Sequence, residues 1–201
     1  MFIHFLFCLF FNVPTLVGVV FFHWSVPEIL VMYWLENIIA GIFCSFKIKK
    51  IQEYHRQHQE GMSKKQDLKA KNGELKALQK WKTHYPAFTF GHGFFIMVIA
   101  GFYWGFNFVN LGTVIEAALV LLIDYTIAYK WGFLERKEEQ SISLQQLISS
   151  SYVRIFILQL TIIFGVLAMV NSEANQYWFI VILIGLKILT EVFLIPRIKV
   201  L

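Results

Sequence analysis

Residues 28–50, EILVMYWLENIIAGIFCSFKIKK, form an apolar run with a carboxylate, Glu36, and an amide, Asn37, near its centre. As a helix rising about 1.5 Å per residue, such a run is long enough to cross a hydrocarbon core of about 30 Å. A charge at the centre of a bilayer costs roughly 2.5–3.5 kcal/mol on insertion scales, so it turns towards a protein interior, a cavity or a partner charge. One helix has no interior. The rest of the chain must therefore build a bundle around this carboxylate.

The composition agrees with a membrane setting. The chain of 201 residues is 57% hydrophobic and 15% charged, against about 25% charged in soluble domains. The charges are also segregated: eleven of the 18 Lys and Arg fall between Lys47 and Lys82, with four acids among them (Glu53, Glu60, Asp67, Glu74). That block explains the basic balance as the flank of membrane spans facing anionic lipid headgroups, so nucleic acid is not expected as a partner. Cys8 and Cys44 both sit in apolar segments and read as small buried hydrophobes.

Hydropathy divides the chain into six spans, at about 2–22, 28–46, 87–109, 113–133, 153–171 and 177–196. The first lacks the basic leader and small-residue cleavage site of a signal peptide and is expected to remain as a span. Between the second and third lies a basic stretch, 47–86, rich in helix formers and punctuated by Gly61 and Gly73. A helix near the headgroups or a short helical hairpin fits it. The connections at 23–27, 110–113 and 172–176 carry no Lys or Arg, whereas the alternate connections and the C-terminus carry nearly all of them. The positive-inside rule then predicts an all-α integral membrane protein of the inner (plasma) membrane, a six-transmembrane-helix bundle with both termini cytoplasmic.

Several spans place polar groups within about two turns of the midplane: Glu36 and Asn37, His92, Asp124, Gln159, and the pair Lys187 and Glu191. One shared interior is where such groups converge. Lys187 and Glu191 are also four residues apart on one face and serve equally well as a self-neutralising pair. His92 lies between Gly91 and Gly93, which leave room beside its ring. Gly101 and Gly105 form a GxxxG, a signal for close helix packing within the chain or in a homo-oligomer. His92, Glu36 and His84 have the donor types for a metal ion, without local ligand spacing such as HExxH. No nucleophile elbow, P-loop or Gly-rich nucleotide fingerprint is present.

YWLENIIAG followed by HYPAFTFGHGFF about forty residues later resembles an uncharacterised family of small multi-span prokaryotic membrane proteins, a domain of unknown function. The match rests on Tyr33, Trp34, Glu36 and Asn37 in one span, and on His84, Tyr85 and His92 in the next. The resemblance extends to SYVRIFILQLTIIFG and LKILTEV, where the family often has a histidine at Gln159 and an aspartate at Glu191. It implies a shared intramembrane polar site and names no activity.

From the residues, three functions stand open. The first is proton- or ion-linked transport or conduction, since a carboxylate in a dry cavity and a nearby histidine suffice for proton handling. The second is a membrane-embedded, metal-assisted enzyme acting on lipid or another apolar substrate. The third is a non-catalytic membrane sensor or partner whose stretch 47–86 docks anionic lipid or protein.

Overall fold

A computed structural model of the chain describes residues 24–58, 64–105, 109–171 and Gly185. The expected first span and nearly all of the sixth, with Lys187 and Glu191, lie outside the described residues. Four long helices dominate what is described: α1 (Val26–Gln57), α2 (Lys64–Trp104), α3 (Leu111–Ile127) and α4 (Leu144–Asn171). Three of the helical stretches, Pro27–Gln57, Asn72–Phe102 and Leu111–Leu134, are long and apolar enough to cross a membrane. The build is all-helical among the described residues and compatible with an integral membrane protein.

The start of α1 is fixed by Glu28. Its Oε2 accepts from both the backbone N–H and the hydroxyl of Ser25, each at 2.8 Å, which satisfies groups that a helix start leaves orphaned. Pro27 in the first turn has no N–H to strand. The other carboxylate oxygen of Glu28 accepts the N–H of Asn110 at 3.3 Å, at the start of α3. One side chain thus pins two helix beginnings together. Asn110 caps α3 by accepting the Gly112 N–H at 2.9 Å.

Helix α2 is 41 residues long and runs through both Gly73 and Pro86. The boundary read at Pro86 is therefore no break in the helix. Proline removes one intrahelical donor and costs about 3 kcal/mol in a helix interior; the packing of Trp81, Tyr85 and Thr89 on either side offsets this. With α1 also continuing to Gln57, the stretch 47–86 forms the two arms of a helical hairpin. His55 and Glu74 sit 3.8 Å apart across it, both partly exposed. Helix α2 ends where Gly105 adopts φ +77 and donates its N–H to the Gly101 carbonyl at 3.1 Å. This left-handed end needs glycine, so Gly105 of the GxxxG is a helix terminator here.

Helix α3 passes into a π-helical segment, Ala128–Leu134, in which Tyr129 stacks on Phe133 at 5.8 Å between ring centroids. Lys137 turns the chain with a φ of 52, and Ser143 opens α4. The Ser143 hydroxyl accepts the Gln146 N–H at 3.2 Å, and Gln146 Oε1 accepts the Ser143 N–H at 3.0 Å, a reciprocal cap. The polar stretch 135–151, between the expected spans at 113–133 and 153–171, accordingly gives its second half to the helix.

A core of Cys44, Ile48, Ile51, Leu78, Trp81, Tyr85, Phe133, Leu144, Ile148 and Ile155 joins α1, α2, the π segment and α4. Beyond the hairpin arms the exterior is largely apolar: Phe90, Phe94 and Phe102 on α2, and Leu111 and Ile123 on α3, are between 61% and 84% exposed. Apolar outside and polar inside is the arrangement a bilayer favours.

Candidate functional site

Among the described residues, the buried polar ones are Glu36 and Asn37 on α1 and Thr89 and His92 on α2. Helices α1 and α2 are antiparallel, and their packing follows from two aromatic side chains placed on two glycines. The Trp34 ring lies against Gly93, and the Tyr85 ring against Gly41; a Cβ on either glycine would overlap the ring. Each ring's polar end then finds a carbonyl on the opposite helix. Trp34 Nε1 donates to Thr89 O at 2.7 Å, and the Tyr85 hydroxyl donates to Asn37 O at 2.9 Å. The Thr89 hydroxyl turns back onto its own helix at Tyr85 O, 2.9 Å away. Of the residues carrying the family resemblance, Trp34 and Tyr85 therefore do the packing. Tyr33, Glu36, Asn37 and His92 are buried beside them, and His84 is exposed.

Helix α3 runs parallel to α1, with Glu28 near Asn110 at one end and Phe46 near Tyr129, 6.1 Å between ring centroids, at the other. This brings Tyr125 to Glu36, and its hydroxyl donates to Glu36 Oε1 at 3.4 Å. From α4, Arg154 Nη1 donates to the same hydroxyl, and its guanidinium lies over the Tyr125 ring at 5.7 Å from the centroid. A carboxylate, a phenol and a guanidinium from three helices are thus joined at one oxygen. The hydroxyl is polarised from both sides, accepting from the cation and donating to the anion. Arg154 also lies within electrostatic range of Tyr85 and Cys44. Cys44 Sγ meets the Ser151 hydroxyl at 3.1 Å, which sets the register of α1 against α4.

Tyr125 and Arg154 were not among the site residues expected from the sequence. Arg154 is the lone cation in YVRIFILQLTIIFG and stands near the start of an apolar run, where it reads as a flanking charge. The longer α4 carries it inside. Asp124, next to Tyr125, is half-buried, as is Gln159, whose Oε1 is buried without a hydrogen-bond partner.

The His92 ring is held at Nδ1 by the carbonyl of Phe88, and lies 5.2 Å from the Phe88 ring. A carbonyl only accepts, so Nδ1 carries the hydrogen, and in the neutral imidazole Nε2 then presents a lone pair. That Nε2 is buried and has no hydrogen-bond partner.

Glu36, His84 and His92 do not assemble as metal ligands. His84 and His92 are eight residues apart on one helix, about 12 Å of rise, and no three of His, Cys, Asp and Glu converge among the described residues. No curated protein and no solved structure matches the chain. Over residues 3–199, however, the sequence fits a single family pattern, and the chain belongs to the family of unknown function DUF6498.

Proposed function

We propose that this protein is a six-span membrane protein with both termini in the cytoplasm, and that the cluster around Glu36 serves proton- or ion-linked transport or conduction. The observation that carries the reading is the joining of Glu36 on α1 to Arg154 on α4 through the Tyr125 hydroxyl on α3. Ionisable groups at membrane depth are costly and mark ion pathways and proton relays more often than they improve stability. Here they come from three helices and meet at a hydroxyl, a group that both accepts and donates. The alternating helix directions support the span order: α1 and α3 run one way, and α2 the other. The exposed Lys49 and Lys50 on α1 and Lys80 and Lys82 on α2 lie where the hairpin arms leave the apolar parts of their helices, which supports a cytoplasmic position for the hairpin beside anionic headgroups.

The test is cation flux into proteoliposomes containing the purified protein, with Glu36→Gln alongside. Flux in the wild type that falls at least tenfold in the variant, with the melting curve retained, supports the reading. Equal flux in both overturns it.

A further inference from the structure

Resting on that reading, we infer that the transported ion is a proton and that the Nε2 lone pair of His92 takes it up. Four observations combine. His92 is only 7% exposed, so its lone pair is withheld from bulk water. Its tautomer is set by the Phe88 carbonyl at Nδ1, which leaves Nε2 as an acceptor. Among the described residues nothing donates to that nitrogen. A second unsatisfied acceptor, Gln159 Oε1, comes from α4.

The register brings these two acceptors to neighbouring levels. Cys44 meets Ser151; Glu36 lies eight residues before the first and Gln159 eight after the second, so Glu36 and Gln159 share a level on antiparallel helices. Trp34 meets Thr89, which sets His92 within about one and a half turns of that level. Each of the two is an acceptor that a hydrogen of a water molecule satisfies. When such a water arrives protonated, one O–H bond breaks, an N–H bond forms at Nε2, and neutral water remains.

The same geometry disfavours a divalent metal cation. Such an ion gives up its hydration shell only where several ligands replace it. Among the described residues no such group of His, Cys, Asp and Glu forms, and Glu36 Oε1 already accepts from Tyr125. A proton needs one lone pair. Among the described residues, the charged and titratable groups on the helices packed with that of His92 include Tyr33, Glu36 and Cys44 on α1, Tyr85 on α2, Glu116, Asp124 and Tyr125 on α3, and Arg154 on α4. Glu36 and Arg154 offset each other, and a proton taken up at His92 adds one positive charge beside them.

The experiment measures flux of protons, sodium and potassium separately in proteoliposomes, for wild type and His92→Gln. It is paired with solid-state ¹⁵N NMR of wild-type histidines in bilayers. Proton flux that drops at least tenfold in His92→Gln is the expected result. So is an Nε2 signal that gains a proton on acidification. Sodium or potassium flux without proton flux overturns the inference and leaves transport standing. Proton flux unchanged in His92→Gln does the same. Should His92→Gln fail to fold, an Nε2 signal that stays unprotonated in the wild type decides against the inference. No flux of any cation removes the transport reading and this inference with it.

Discussion

Arg154 donates from α4 to the hydroxyl of Tyr125 on α3 and lies across its ring. The phenol passes this charge on to Glu36, so the three side chains form one electrostatic unit with no net charge. Units of this kind respond asymmetrically to mutation. Losing one charge strands the other, while losing both is mild.

Arg154→Leu alone is therefore expected to destabilise the protein near the lower end of about 3–5 kcal/mol, because Arg154 is only half-buried. Glu36→Gln combined with Arg154→Leu should recover most of that loss. Thermal unfolding in detergent across the double-mutant cycle measures it, and additive losses would show that the two charges do not sense each other.

The glycines divide by what faces them. Gly41→Ala and Gly93→Ala place a methyl inside the Tyr85 and Trp34 rings and should each cost about 1–3 kcal/mol as overpacking. Gly73 is exposed on α2 with nothing near its Cβ position. Gly73→Ala should stabilise by up to about 1 kcal/mol through helix propensity. Melting temperatures of the three variants check the order.

Phe133 is fully buried, and Lys47 Nζ sits 5.1 Å from its ring centroid. Phe133→Ala should lose about 3–5 kcal/mol through the cavity it leaves. Lys47→Met, which keeps the length and removes the cation, should lose no more than about 2 kcal/mol. Chemical denaturation of the detergent-solubilised protein separates the two effects.

On the hairpin arm, the Lys50 ammonium bonds to Glu53 at 3.1 Å and holds that carboxyl below its ordinary range. A depressed carboxylate pKa contributes stability above the ordinary value and loses it as pH falls through the folded one. Both groups are solvated, so the effect on stability is small. A ¹³C titration of the Glu53 carboxyl should show its midpoint rising in Lys50→Ala, and an unmoved midpoint would mean that the pair is not formed in solution.

The membrane character of the chain was legible because apolar runs and basic flanks reflect the solvent itself. The burial of Glu36, Asn37 and His92 was legible for the same reason: a polar group within an apolar run has few places to go. The partner of Glu36 was not. Tyr125 looks like any aromatic in a span, and whether Arg154 lies inside or at the edge depends on where α4 begins, which a local cap at Ser143 and Gln146 decides. The basic stretch was read as ending at Pro86, where the next apolar span begins. Tertiary packing of Tyr85 and Thr89 carries the helix past it. Gly105 was read from spacing, whereas its role comes from a dihedral angle that spacing does not encode.

The uninterrupted run of α2 from Lys64 to Tyr85 has a mechanical consequence. It is a stiff arm of about 31 Å resting at one end on the Gly41 contact, and braced by α1 near His55 and Glu74. A pivot of about 5° at Tyr85 displaces the far tip by roughly 3 Å. Leverage runs in the other direction too: a force of modest size at the tip becomes a larger one at Tyr85, whose hydroxyl holds the Asn37 carbonyl. The hairpin and the buried cluster are the two ends of one beam.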